Sequence, residues 1–121
     1  MNDKATTGAR GEAIATEYLR KNGYLICNRN WRCGHYEIDI VATKLGITHI
    51  IEGRTRKAGS LLSPEQSITR AKAESIRKAA TAYLRQMRVR GDIEFDLIAI
   101  DMFPDGSYDI RIINDIIQPG W

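Results

Sequence analysis

Apolar residues recur along this chain in two spacings, and the places where the spacing changes divide it into elements. From about Ala9 to Lys21, Ile14, Ala15, Tyr18 and Leu19 fall on one helical stripe, and Asn22-Gly23 supplies a stop. A short strand is predicted near Tyr24 to Asn28. Residues 36–56, "YEIDIVATKLGITHIIEGRTR", then alternate as a β-hairpin does, and "KAGSLL" (57–62) reads as a loop. The segment "SPEQSITRAKAESIRKAATAYLRQMRVRG" (63–91) predicts the longest helix. Ser63 suits the N-cap, Pro64 the first turn and Gln66 a capping box. Ile68, Ile76, Ala79, Ala80, Tyr83, Leu84 and Met87 make its buried stripe, and Gly91 its stop. "IEFDLIAID" is a strand, "FPDGS" a turn and "YDIRIIND" the last strand. The order α-β-β-β-α-β-β predicts an α/β fold, a mixed β-sheet flanked by two helices, in a single domain over residues 1–121.

The hairpin departs from an ordinary amphipathic pattern. A two-residue turn centred on Leu45-Gly46 sets Val41 opposite Ile50, Asp39 opposite Glu52 and Glu37 opposite Arg54, all on one face. Ile38, Ile40 and Ile51 then take the other face, which is expected to be the core. Directly opposed residues have Cβ atoms roughly 4.5–5.5 Å apart, and like charges at that distance are destabilising. Asp39 against Glu52 is a fault in a purely structural sheet, and a divalent cation turns it into a site. Mg²⁺ takes one or two carboxylates, keeps several waters and accepts phosphate oxygens as the rest of its shell. The competing reading is a surface ion-pair network in which Arg54, Arg56 and Lys57 neutralise both acids. A one-residue slip in register would also separate the two carboxylates.

Charge sharpens the picture. The net charge of +3 hides a basic middle: residues 44–90 hold 11 Lys/Arg against 3 Asp/Glu, while residues 91–121 hold 1 against 7. Such a middle suits a face that meets phosphates, or a solvated cationic helix paired with acidic strands. No apolar run approaches the length of a membrane span, and "MNDKATTGARGE" has no apolar signal core. Two cysteines, Cys27 and Cys33, fit a reducing compartment, so a cytoplasmic protein is expected. Cys33 and His35 with Cys27 lack a C-x-x-C pair and a fourth ligand, so no zinc site is read there.

The stretch "GARGEAIATEYLRKNGYLICNRNWRCGHYEIDIVA" resembles the N-terminal half of the small bacterial YraN-type proteins, whose pattern runs G-x-x-G-E, R-N, G-E-I-D and E-V-K-x-R. The likeness continues through "SITRAKAESIRKAATAYL" and "FDLIAID". That family resembles the PD-(D/E)XK nuclease superfamily and, within it, the archaeal-type Holliday-junction resolvases. The resemblance implies a restriction-endonuclease-like core, Asp39 and Glu52 as ligands of one or two Mg²⁺ or Mn²⁺ ions, and Glu12 as the extra acid of the resolvase-like branch. It also implies DNA, structured or branched, as partner, and a homodimer, since two scissile strands need two sites. Two departures stand out. G-E-I-D reads "YEID", keeping Glu37 and Asp39, and E-V-K-x-R reads "EGRTR", placing Arg54 where the superfamily has a lysine that orients the attacking water. A guanidinium grips phosphate but does not lose a proton at accessible pH.

The chain is therefore expected to be a metal-dependent endonuclease-like protein, with catalysis impaired by Arg54; the alternative is an inactive nucleic-acid-binding module of the same fold. Its catalytic set would be Glu12, Glu37, Asp39, Glu52 and Arg54, and its phosphate contacts Arg56, Lys57, Arg70 and Lys72. Glu12 is equally explained as an acid in a first helical turn, and Lys72 as a side chain that snorkels. Trp31 and Tyr36 are candidates for base stacking or for plain packing.

Overall fold

The computed structural model describes residues 3–61 and 63–117, so residue 62 of the expected loop lies outside the described residues. Five strands form one sheet in chain order: β1 (Leu25–Cys33), β2 (Tyr36–Lys44), β3 (Ile47–Lys57), β4 (Ile93–Met102) and β5 (Tyr108–Ile113). Neighbours are antiparallel except β3 and β4, which are parallel. A parallel pair needs a long crossover, and α2 (Arg70–Gln86) supplies it, while α1 (Asp3–Lys21) precedes the sheet. The result is the expected α/β fold with a mixed sheet and two flanking helices, consistent with a restriction-endonuclease-like core.

The core differs from the expectation of one buried hairpin face. Ala15 and Leu19 of α1 pack on Ile40, Ala42, Ile51, Ile98 and Ile100, whereas Ile76, Ala79, Ala80 and Tyr83 of α2 pack on Ile38, Val41 and Ile50. Both faces of the central strands are dry, which is why "HII" and "DLIAI" read as continuous apolar runs. Ile38 and Ile40 lie on opposite faces, so the regular alternation breaks at Asp39. That residue lies between the pairs Arg29↔Ile40 and Trp31↔Ile38, across from Asn30 with φ 51°.

The remaining differences have local causes. β1 runs to Cys33 instead of stopping near Asn28, because it is a bulged edge strand whose half-exposed residues carry no clean alternation. Helix α1 begins at Asp3, well before Ala9. The segment 63–91 is not one helix. Ser63 does cap it and does form the box with Gln66, but over a 3₁₀ turn, Pro64–Ser67. Ile68 then leaves helical geometry to bury its side chain, and Thr69 starts α2 as a second N-cap, accepting the Lys72 amide at 3.1 Å. The helix closes before Gly91. Arg88 adopts φ 53°, and the amides of Arg88 and Val89 reach back to the carbonyls of Arg85 and Leu84 in a Schellman arrangement.

The hairpin register matches the sequence expectation. Leu45 and Gly46, with φ of 51° and 79°, make the two-residue turn, and Val41 pairs with Ile50. The β2–β3 ladder ends at Ile40↔Ile51, and past that pair the strands part.

Candidate active site

Asp39 and Glu52 are the first residues beyond the last β2–β3 pair. Asp39 Oδ2 accepts the Gly53 amide at 2.9 Å, so the carboxylate is held against β3 after the ladder has stopped. Glu52 is 8% exposed, and its Oε1 meets Arg54 Nη1 at 3.2 Å and Lys72 Nζ at 3.3 Å. Arg54 is tethered in turn, its Nε donating to Ser67 Oγ at 3.2 Å. The break of the second helix into two pieces matters here: Ser67 closes the first piece and Lys72 lies in the first turn of the second. Both reach β3, Ser67 at Arg54 and Lys72 at Glu52.

Electrostatics mark these two acids out. Burial pushes the Asp39 carboxyl above its ordinary range, with Glu37 adding to the shift and the Gly53 amide opposing it. Burial also raises Glu52, and Asp39 raises it further against the pull of Lys72 and Arg54. Two desolvated carboxylates that repel one another are a donor set for a hard divalent cation, which needs only one or two protein carboxylates. On this chemistry the residues fit Mg²⁺ or Mn²⁺.

Asp39 opens into a cavity of about 620 Å³ lined also by Gly11, Glu12, Asn30, Arg54 and Lys57. Gly11 makes the approach of α1 possible, because a Cβ there would overlap the Thr55 hydroxyl. The same close contact carries Glu12 to the cavity, where its Oε1 accepts from Arg29 Nη2 at 2.7 Å and Asn30 Nδ2 at 2.6 Å. Since α1 starts at Asp3, Glu12 does not lie in a first turn, and the helix dipole no longer accounts for it.

Other candidates are placed less centrally. Glu37 does not face Arg54; it is exposed and pairs with Arg32 at 3.5 Å, outside the β2–β3 ladder. Arg56 bonds Asp101 at 2.6 Å, while Lys57 and Arg70 are exposed. Trp31 and Tyr36 are partly buried against the α2-side core, Trp31 edge-on to Tyr83, which agrees with plain packing. Cys27 and Cys33 are free and exposed.

Sequence reasoning missed Asn30 and Ser67, and it missed a second polar cluster. His49 Nδ1 lies 2.6 Å from Asp96 Oδ2 and 3.0 Å from Glu94 Oε2, a buried group whose ligand atoms could hold a metal ion. No local motif announces it, because His49 meets Glu94 only through the parallel β3–β4 register. No helix among the described residues is long and apolar enough to cross a membrane.

Comparison with known proteins gives a consistent family. The model of "Uncharacterised protein family UPF0102" matches residues 11–100. A UPF0102 protein of Bacteroides thetaiotaomicron is 36% identical over 119 residues, covering 98% of each chain. One from Porphyromonas gingivalis is 36% identical over 107 residues, 88% of this chain and 79% of the relative. One from Phocaeicola vulgatus is 40% identical over 93 residues, 77% of each.

Proposed function

This chain belongs to the uncharacterised protein family UPF0102, and from the carboxylate pair where β2 and β3 part we propose that it is a metal-dependent endonuclease-like protein acting on DNA phosphodiesters. The observation that carries the reading is the burial of Asp39 and Glu52 beside each other, with Arg54 and Lys72 on the second carboxylate. Preference for branched DNA, and a dimer with one site per scissile strand, rest on the resemblance to resolvases alone.

A bound Mg²⁺ or Mn²⁺, one ion or two, would lower the pKa of a water and offset charge on the scissile phosphate. Asp39 and Glu52 would hold it, which relieves their mutual repulsion. Arg54 and Lys72 then become available to the phosphate, because a cation on Glu52 competes with both of them. Arg54 acts as a fixed charge, and Lys72 brings the compact ammonium that position 54 lacks. Glu12 holds Arg29 and Asn30 at the cavity rim, and Glu37 adds negative charge near Asp39, which disfavours the ionised Asp39 carboxylate and would be relieved by a cation. Arg56, Lys57, Arg70 and Lys72 supply backbone contacts along the incoming strand.

The test is cleavage of a four-way junction and of linear duplex with Mg²⁺ or Mn²⁺, beside calorimetry with Mn²⁺, on wild type and Asp39→Ala. Junction nicking and Mn²⁺ binding are expected in the wild type and lost in the variant. A wild type that binds neither Mn²⁺ nor junction ends the reading. DNA affinity should fall linearly on a log–log salt plot, by about 0.9 per phosphate contacted on B-DNA. Replacing Arg56, Lys57, Arg70 and Lys72 with alanine should flatten that slope.

A second reading, a nucleic-acid-binding module without turnover, is favoured by Arg54, whose guanidinium is seated on Glu52 and Ser67 at the lysine position. Junction binding without cleavage, with some cleavage recovered by Arg54→Lys, would select it.

A further inference from the structure

We propose that His49, Glu94 and Asp96 form a second, structural cation site that takes Zn²⁺, separate from the Asp39–Glu52 pair and independent of any nuclease chemistry. His49 lies three residues before Glu52 on β3, with its side chain on the α1 side of the sheet and that of Glu52 on the α2 side. Glu94 and Asp96, two residues apart on β4, project to the same side as His49. Direct β3–β4 register opposes His49 to Glu94, so the three donors converge from two neighbouring strands at the core of the sheet.

The charge balance inside this cluster points to a cation. Asp96 is 0% exposed and Glu94 is largely covered, yet among the described residues neither forms an ion pair with a lysine or arginine. A single ring nitrogen, His49 Nδ1, serves both carboxylates. It carries at most one proton, so one hydrogen is shared between the two carboxylates, of which Asp96 is fully buried and Glu94 partly so. Buried charges are as a rule paired or coordinate metals; Asn114 Nδ2 and the Asp115 amide satisfy hydrogen bonds of these carboxylates, but among the described residues His49 is the one side chain placed to meet their charge.

The donor set decides the ion. One imidazole nitrogen with two carboxylate oxygens suits zinc, which takes nitrogen and oxygen at about 2.0–2.2 Å and keeps a fourth position for water. Magnesium prefers an all-oxygen octahedron and is not expected to compete here. Tetrahedral ligand atoms lie about 3.3 Å apart at such bond lengths, so the 2.6 and 3.0 Å separations would open by about 0.7 and 0.3 Å.

Partners that would orient the ligands are already in place. Asp96 Oδ1 accepts the Asp115 amide at 3.0 Å, Glu94 Oε2 accepts Asn114 Nδ2 at 3.2 Å, and Tyr24 stands edge-on to the His49 ring at 5.0 Å. Outer contacts of this kind fix ligand orientation in metal sites. Glu94, 29% exposed, leaves a way in from solvent.

The experiment uses the full chain carrying Asp39→Ala, Glu52→Ala, Cys27→Ser and Cys33→Ser, which removes the other acidic pair and both exposed thiols. Zn²⁺ binding is measured by calorimetry and by metal content after dialysis, with thermal unfolding alongside. We expect one Zn²⁺ per chain and a rise in Tm of roughly 5–15 °C at a hundredfold excess over Kd, with no rise from Mg²⁺. Adding Glu94→Gln, a near-isosteric change at a partly exposed position, should weaken Zn²⁺ at least tenfold, in keeping with the loss of one ligand. Should the background variant not fold, wild type is expected to bind one Zn²⁺ more than the single Glu94→Gln variant. No Zn²⁺ retained, or an affinity indifferent to Glu94→Gln, overturns the proposal.

Discussion

In the middle of β3 one buried acid, Glu52, is met by two cations, Arg54 and Lys72. Three residues upstream, on the other face, one histidine is met by two acids, Glu94 and Asp96. The strand is the same and the burial similar, but the first cluster, counting Asp39, sets two cations against two acids, while the second sets one histidine against two acids. The first cluster forms where a ladder has stopped and a cavity opens, so its side chains can exchange partners with a substrate. The second lies on two strands whose pairing is unbroken, with Asp96 fully buried and solvent reached through Glu94. Local pairing, more than residue type, separates a site that can turn over ligands from one that holds them.

The sharpest way to break this comparison is to remove one charged partner from each cluster, beginning with the histidine's. Asp96→Ala leaves His49 without its shorter partner in a dry site, and breaking a buried pair typically costs 3–5 kcal/mol, or about that here. Urea denaturation should show that loss. A loss near that of an exposed residue would mean the cluster is not the rigid one.

Next in size is the effect on rate at the other cluster. Arg54→Ala and Lys72→Ala should each lower junction cleavage about 10²–10³-fold, the usual cost of one preorganised charge. Mn²⁺ binding should persist, since both carboxylates remain. Stability should change by only about 1 kcal/mol, because one cation still faces Glu52. Robust turnover on linear duplex, untouched by Arg54→Ala, would show that this residue has another job.

A smaller effect follows from pH. Burial raises the carboxyls of Asp39 and Glu52, and burial with the adjacent Asp96 raises Glu94. From the ordinary carboxylate range near pH ~4 up to those raised values, the folded state holds protons that the unfolded chain has lost. Stability should therefore fall as pH rises through that window and level off above it. Urea midpoints from pH 4 to 7 test the fall, and Glu52→Gln should flatten it. Adding Mn²⁺ at pH 7 should recover stability through the same pair.

The smallest change expected is at Gly53. A Cβ there would make only ordinary contact, 3.7 Å from Asp39 Oδ2, and the residue does not require a left-handed backbone. Gly53→Val should raise stability by about 0.5–1 kcal/mol through strand preference, readable as a small rise in Tm. A fall would mean that the glycine keeps room for something beside Asp39.

The sequence made the Asp39–Glu52 juxtaposition legible because one local signal, the Leu45-Gly46 turn, sets the whole β2–β3 register. The strand order and the two helices were legible for a similar reason, since their periodicities lie within single segments. What escaped depends on competition or distance. Ser63, Pro64 and Gln66 begin a helix by every local rule, yet burying Ile68 outweighs continuing it, and Thr69 starts again. Ile38 and Ile40 share parity in the sequence but not a face, because the regular alternation breaks between them, across from Asn30 with its positive φ. Ser67 gained its contact with Arg54 from that unforeseen break. His49 reads as a lone polar residue in an apolar run until β4 is laid beside it.

The parallel seam between β3 and β4 also bears on how the chain assembles in time. Strands β1 to β3 form a meander of short-range contacts, and Asp39 finds Gly53 across a separation of 14 residues. His49 finds Asp96 only across 47, after the whole crossover has been closed. Long loops pay their closure entropy before their contacts form, so such pairings come late in folding. Substitutions in the meander, such as Val41→Ala, are accordingly expected to slow folding, and those at Asp96 mainly to hasten unfolding. The acidic pair is thus laid down with the early hairpin, and the histidine cluster acts as the latch that closes last and sets how long the finished sheet stays shut.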